Sequence, residues 1–361
     1  MQPIQVLQTA DADATAAFDV IIDVRSPGEF AEDHMPRARN LPVLDDAQRA
    51  EVGTIYVQES RFRANRLGAA YVAENIAHHL RTAMDDWSPT TRPLIYCWRG
   101  GNRSNAMATI LQRVGWPTAV LDGGYRTYRR QVQDALYEQA CPVRFVLLDG
   151  DTGSAKTEIL ARLAERGLQV LDLEDLAGHR GSLFGGLAGR PQPSQKMFES
   201  RLLTALRAFD PSRPVVVEAE SSKIGDRMTP PAVWRAMQAA PRIEIVAPRE
   251  ARARYLVSAY ADIIADTDRL EAAFARLPVP PSQARLEAWR GLIGGGDFET
   301  LAAALMELHY DPAYARGRSK DGRPPIAQIA VETLDGASQS AIADQVAGLV
   351  SRLWDQPHAA G

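Results

Sequence analysis

Apolar positions along the chain fall into short runs, each followed by polar turn residues. Residues 19–24 (DVIIDV) and 93–97 (PLIYC) predict short buried strands, and 118–124 (TAVLDGG) predicts a third that ends in a glycine turn. Helical patterns occupy 66–83 and 104–114, and 125–139 predicts an arginine-rich helix. The pair Cys141-Pro142 interrupts that pattern, and a second series begins. Its strands are predicted at 143–150, 168–174, 213–220 and 241–248, with a helix over 156–167 that stops on Gly167. The chain closes with a strand pattern at 327–333 and an amphipathic helix at 337–354. Strands alternating with helices predict an α/β protein with parallel sheets. The boundary falls near 138–142, giving a first domain over 1–138, with a helical insertion at about 45–90, and a second over 139–361.

Composition narrows the class. A length of 361 residues suits two domains. The hydrophobic fraction of 45% and charged fraction of 24% exclude disordered, collagenous and disulfide-scaffold chains. With 41 basic and 45 acidic residues, any nucleic-acid partner has to be held by a local patch. Two cysteines, Cys97 and Cys141, make no disulfide framework and suit a reducing cytoplasm. No apolar run approaches the roughly 18 residues of a membrane span. The N-terminus lacks the basic-then-apolar order of a secretory signal, so a cytoplasmic location without a membrane partner is expected. Only four of the 41 basic residues are lysines, and three of them, Lys156, Lys196 and Lys223, stand in or beside the motifs below.

The first motif is IYCWRGGNRSNAMATIL, 95–111. Cys97 ends a strand, a glycine-containing loop follows, and a helix begins near Ser104. Such a loop turns backbone N–H groups inward, and the helix N-terminus adds positive potential, so the thiol is favoured as thiolate. Arg99 and Arg103 would add cationic donors for an anionic group. A buried structural cysteine is the plainer alternative. Upstream, DVRSPGEFAEDHMPRARNLPV (23–43) and the closing DGGY (122–125) complete a pattern that resembles the rhodanese domain over about residues 5–130. The resemblance implies an α/β fold carrying sulfur on a loop cysteine. Five residues separate Cys97 from Arg103, where simple sulfurtransferases usually have four, so the loop resembles the phosphatase branch of that fold.

The second motif is VLLDGDTGSAKTEIL, 146–160, which meets G-x4-G-K-[ST] at Gly150, Lys156 and Thr157 but has Ala155 at the second glycine. Backbone N–H groups of Thr152, Gly153, Ser154, Ala155, Lys156 and Thr157 could cradle a diphosphate or triphosphate, with Lys156 neutralising it and Thr157 a candidate Mg²⁺ ligand. Alanine would add a methyl group where ligand and backbone come close. Glu218 and Glu220, at the end of a later strand, are candidates to complete the site, or are solvated strand termini. Asp172, Glu174, His179, Arg180 and Ser182 form a further polar cluster, as do Gln192–Phe198 and Ser221–Gly225.

Together the blocks YCWRGGNRS, LDGDTGSAKTEIL, DLEDLAGHRGSLFGG, QPSQKMFE, VEAESSKIG and HYDPAY resemble the tRNA 2-selenouridine synthase family over about 5–320. The departures are Ala155 and Ala219, the latter where an acidic residue is expected between Glu218 and Glu220. The resemblance implies a transfer RNA substrate, not DNA, with wobble 2-thiouridine. It implies S-geranylation from geranyl diphosphate, and replacement of sulfur by selenium from selenophosphate, which a selenophosphate-supplying enzyme would deliver. No tightly bound cofactor is expected. On this reading the Lys156 loop binds the diphosphate. The Cys97 loop handles selenium, either as a perselenide or by activating selenophosphate. Arg126, Arg129 and Arg130, and Arg249, Arg252 and Arg254, are candidate RNA contacts, with Trp98 a candidate stacking partner for the base. Each arginine cluster is equally readable as a solvated face, and the second as a lid over the phosphate loop. Three other readings remain open: a Cys-x5-Arg phosphatase with a nucleotide-binding regulatory domain, an ATP-gated sulfurtransferase, and a non-enzymatic RNA-binding or scaffold role in which Ala155 and Ala219 mark decayed sites.

Overall fold

The computed structural model describes residues 3–182, 185–186, 189–275, 277 and 280–355. The chain forms two compact units, Met1–Gln139 with Ser194–Thr204, and Ala140–Pro193 with Ala205–Gly361. The sequence pattern placed 194–204 in the second domain, but its contacts are with the first. Ser194 donates to the Glu32 carbonyl, Lys196 meets the Glu32 carboxylate at 2.7 Å, and buried Glu199 accepts from the Tyr137 hydroxyl at 2.8 Å.

In the first unit, strands β1 (Gln5–Leu7), β2 (Val20–Asp23), β3 (Ala38–Asn40), β4 (Pro93–Tyr96) and β5 (Ala119–Leu121) form one sheet in the order β1-β5-β4-β2-β3, every pairing parallel. The middle strand β4 is buried at all four positions, which is why it reads as an unbroken apolar run. Ile22, Ile95, Met107, Leu111 and Val120 build the core beneath it. The insertion is a helical hairpin, Asp46–Gln58 and Arg61–Arg81. Asp45 and Gln48 cap the first helix reciprocally, and Ser60 caps the second. The first helix is absent from the sequence reading because Gly53 and the strand-favouring run at 54–57 disguise it, and it buries only Ile55.

In the second unit, β6 (Phe145–Gly150), β7 (Gln169–Leu171), β8 (Val215–Glu218), β11 (Arg242–Val246) and β12 (Ala327–Ala330) form a second parallel sheet, ordered β12-β11-β6-β8-β7. A small antiparallel pair, β9 (Lys223–Ile224) and β10 (Arg227–Met228), follows β8. The strand expected over 168–174 stops at Leu171, because the Asp172 carboxylate accepts from the Asp175 N–H at 2.8 Å and starts the helix Leu173–Ala177. The closing helix Gly336–Asp355 packs Ile342, Val346 and Val350 against Ile159, Leu160 and Leu163 of the helix after β6.

Between β11 and β12 the chain is helical, including Arg249–Ala259, Gln283–Gly295, Phe298–Leu305 and Asp311–Asp321. It has its own apolar cluster of Ile263, Leu270, Phe274, Trp289, Leu301 and Leu305. Among the described residues no helix is long and apolar enough to cross a membrane.

Candidate active sites

Both predicted loops follow the middle strand of their sheet, at the C-terminal end where α/β proteins place ligands. After β4, residues 97–101 lead into the helix Asn102–Val114. The Cys97 Sγ accepts from the Gly101 N–H at 3.2 Å and the Ser104 hydroxyl at 3.3 Å. Burial pushes the thiol up, but these donors and the Arg99 and Ser104 N–H groups outweigh it and hold Cys97 below the ordinary thiol value. The DGGY turn clamps the loop from behind. The Tyr125 N–H donates to the Cys97 carbonyl at 2.8 Å, and a Cβ on Gly124 would lie 2.2 Å from that oxygen, so only glycine fits there.

Cys97 opens into a cavity of about 710 Å³, rimmed by Trp98, Arg99 and Arg103 with Glu29, Glu32 and Arg49. Arg103 meets the Glu29 carboxylate at 2.8 Å and Arg99 is exposed. Trp98 is half-buried, with the Tyr125 ring 5.2 Å away.

After β6, residues 151–155 lead into the helix Lys156–Glu165. Ala155 adopts the left-handed region at φ 58°, the conformation that favours glycine. Its side chain is 2% exposed and belongs to the apolar cluster with Val146, Leu148 and Ile159, and the residue also lines the cavity at this loop. The Lys156 Nζ donates back across the loop to the Gly150 carbonyl at 3.0 Å, and Thr157 donates to Glu218 at 2.9 Å.

Three carboxylates, Glu174, Glu218 and Glu220, have oxygens within 4.8 Å of one another. Burial and then mutual repulsion push Glu174 up. Burial also raises Glu218 and Glu220, against the pull of Lys156. Burial alone would lower Lys156, but Tyr314 and these carboxylates hold it above its ordinary value. Hard oxygen donors at this spacing suit Mg²⁺. The cluster therefore does not need an acid at Ala219: Glu174 supplies the third carboxylate. Asp172, a sequence candidate, is used as a helix cap instead.

This cavity, about 670 Å³, is also lined by His179, Arg180, Ser182, Tyr260 and Tyr314. The His179 Nδ1 is buried without a hydrogen-bond partner among the described residues. Arg180 pairs with Asp262 at 3.0 Å, and the Ser182 hydroxyl lies 2.8 Å from that of Tyr260. Leu183 and Phe184 of the same sequence block lie outside the described residues. A second, apolar slot of about 80 Å³ adjoins it, sharing Thr152, Ser182, Leu256, Tyr260 and Tyr310. Its other walls are Val257, Ile263, Ile264, Leu270, Phe298, Leu301, Ala302, Leu305 and Met306. Sequence reasoning missed this slot and its helical walls. The block HYDPAY was the available signal, since Asp311 holds Arg252 and the Tyr314 ring lies 5.7 Å from the Lys156 Nζ.

Three of the six arginines expected at RNA are paired with carboxylates. Arg252, 5% exposed, bonds Asp311 at 2.9 and 3.0 Å and the Thr152 carbonyl at 3.1 Å, bracing the phosphate loop. Arg129 is paired with buried Glu199. Arg249 meets Glu307 at 2.9 Å, whereas Arg126, Arg130 and Arg254 are exposed.

Residues 5–131 match the family model of the rhodanese-like domain, and 143–275 that of the tRNA 2-selenouridine synthase AAA domain. A tRNA 2-selenouridine synthase of Nitrosomonas europaea is 34% identical over 282 residues, 76% of this chain and 72% of that protein. One of Cupriavidus pinatubonensis is 35% identical over 66% of this chain and 65% of its own. One of Cupriavidus necator is 33% identical over 83% and 88%.

Proposed function

The chain belongs to the tRNA 2-selenouridine synthase family, and on that premise we propose that it converts wobble 2-thiouridine of transfer RNA to 2-selenouridine in two steps, one at each loop. The observation that carries the first step is the apolar slot opening off the phosphate-loop cavity. A nucleotide would need polar partners for its base, but this slot is walled almost wholly by hydrocarbon and suits the tail of geranyl diphosphate. The thiocarbonyl sulfur attacks C1 of the geranyl group, the C–O bond breaks, and diphosphate leaves with the electron pair. The proton on N3 of the base is released to water. Lys156 and the N–H groups of 152–157 stabilise the departing charge. Thr157 and the three glutamates would hold Mg²⁺, which supplies further charge neutralisation there.

S-alkylation turns a poor leaving group into a thiolate that can depart. For the second step, the Cys97 thiolate attacks phosphorus of selenophosphate, with Arg99 and Arg103 near the anion. The P–Se bond breaks and hydrogen selenide leaves with its electron pair. Selenide then attacks C2 of the base and expels geranylthiolate, and water clears the phosphocysteine. The electron count favours this route: taking selenium as a perselenide would leave phosphorus reduced by two electrons.

Nucleoside mass spectrometry tests the reading. Protein, thiolated transfer RNA and geranyl diphosphate should give a geranylated nucleoside, which becomes selenouridine when selenophosphate is added. Unchanged 2-thiouridine under both conditions, with the RNA bound, contradicts it.

A further inference from the structure

Apart from Arg49 at the rim of the Cys97 cavity, the inserted helical hairpin takes no part in the two chemical steps, yet its tip is unusual. Its tip exposes three large apolar side chains: Val57 is 83%, Phe62 76% and Tyr56 46% exposed. Three such side chains gathered at one tip are a candidate contact surface. Residues 56–66 carry three arginines, Arg61, Arg63 and Arg66, against one acid, Glu59. The Arg61 guanidinium lies over the Tyr56 ring at 5.4 Å.

A second observation concerns Gly53, in the interior of the first helix. Glycine there is costly relative to alanine. Nothing in the structure requires it, because a Cβ would meet no atom within 4 Å and the position is exposed. A helical glycine open to solvent leaves room for a partner's backbone to come close. Arg49, Gly53 and Tyr56 are spaced i, i+4, i+7 and so share one face of the helix. Arg49 stands at the rim of the Cys97 cavity, so the face runs outward from that rim to the aromatic tip, about 10 Å at 1.5 Å per residue.

We propose that this face, from Arg49 across Gly53 to Tyr56, Arg61 and Phe62, is where the transfer RNA docks, with its phosphodiester passing Gly53 and unpaired bases stacking at the tip. Flat aromatic rings interleaved with arginines match single-stranded RNA, whose bases stack and whose phosphates pair with guanidinium groups. The docking rests on the family reading that the substrate is transfer RNA. It also supplies contacts that Arg129 and Arg252, each committed to an internal carboxylate, do not.

The test is a fluorescence-anisotropy titration of the full chain with thiolated transfer RNA at several salt concentrations, with light scattering and melting temperature recorded for each variant. Tyr56→Ala and Phe62→Ala should each weaken binding about tenfold, the loss of one stacked base. Arg61→Ala should lower the salt slope by about one. Gly53→Ala should raise the melting temperature yet weaken binding, a pair of effects that a purely structural glycine does not produce. If wild type binds and these variants bind as tightly, the docking face is wrong and the family reading stands. A change in oligomeric state on losing Tyr56 or Phe62 overturns the proposal in favour of a contact between copies of the chain. If wild type binds no transfer RNA, the reading beneath the proposal has failed with it.

Discussion

The Cys97 loop and the Lys156 loop are built alike and used differently. Each follows the middle strand of a five-stranded parallel sheet and runs into a helix N-terminus. In the first, N–H groups and a hydroxyl converge on the protein's own sulfur, in a cavity rimmed by Arg49, Arg99 and Arg103. In the second, the lysine faces three carboxylates, Glu218 buried and Glu174 and Glu220 half-buried, beside an apolar slot. On the proposed function, the same scaffold charge would prepare a nucleophile in one unit and a seat for a leaving group in the other. What differs is the residue at the strand end and the side chains brought to face it.

Separate duties for the two loops predict separable losses. The largest effect is expected for Cys97→Ser, which should cut selenium incorporation on the order of 10⁴-fold or more while geranylation proceeds at the parental rate. A depressed thiol keeps the thiolate as pH falls below the ordinary cysteine value near 8.5. The selenium step in wild type should therefore lose rate only at a lower pH than a free thiol would, as a pH–rate profile with excess S-geranylated RNA can read. Lys156→Ala should slow geranylation about 10²–10³-fold, the usual cost of one charge-stabilising donor, and leave turnover of pre-geranylated RNA intact.

Smaller effects sharpen the picture of the acidic side. Glu174 is raised by burial first and by Glu218 and Glu220 next, so the folded state holds its proton more tightly than the unfolded chain does. Its contribution to stability is therefore full below the ordinary carboxylate range and is lost as pH rises toward the raised value. Glu174→Gln should flatten that pH dependence and raise the melting temperature by roughly 2–4 °C at pH 8, as about 1 kcal/mol does in a unit of this size, while slowing geranylation. The smallest effect is expected for Ala155→Gly. Relief of the left-handed alanine offsets the lost methyl packing and the freer unfolded chain, so denaturant titration should find a change within about 1 kcal/mol.

Both loops were legible in the sequence because each is a local object: a buried strand, a glycine turn and a helix start within about fifteen residues. Glu218 was legible for the same reason, as a polar residue ending an apolar strand. Glu174 was seen only as one of several polar residues, since its role depends on where a cap at Asp172 ends a strand and begins a helix. Arginine spacing suggested RNA contacts, but spacing carries no information about partners 59 and 70 residues away, where Asp311 and Glu199 claim Arg252 and Arg129. The apolar slot was illegible because its walls come from several helices of weak individual pattern, packed together only by the fold. Ala155 is the converse case: the motif suggested an obstruction, and the fold buries the residue among Val146, Leu148 and Ile159 at the edge of the cavity.

The division of labour is tested most directly by the nucleosides left when each variant is given thiolated transfer RNA, geranyl diphosphate and selenophosphate together. Two separate sites predict S-geranyl-2-thiouridine accumulating with Cys97→Ser, unchanged 2-thiouridine with Lys156→Ala, and selenouridine when the two variants are mixed. Selenouridine from Cys97→Ser alone at the wild-type rate, or geranylated nucleoside from Lys156→Ala at the wild-type rate, would contradict it.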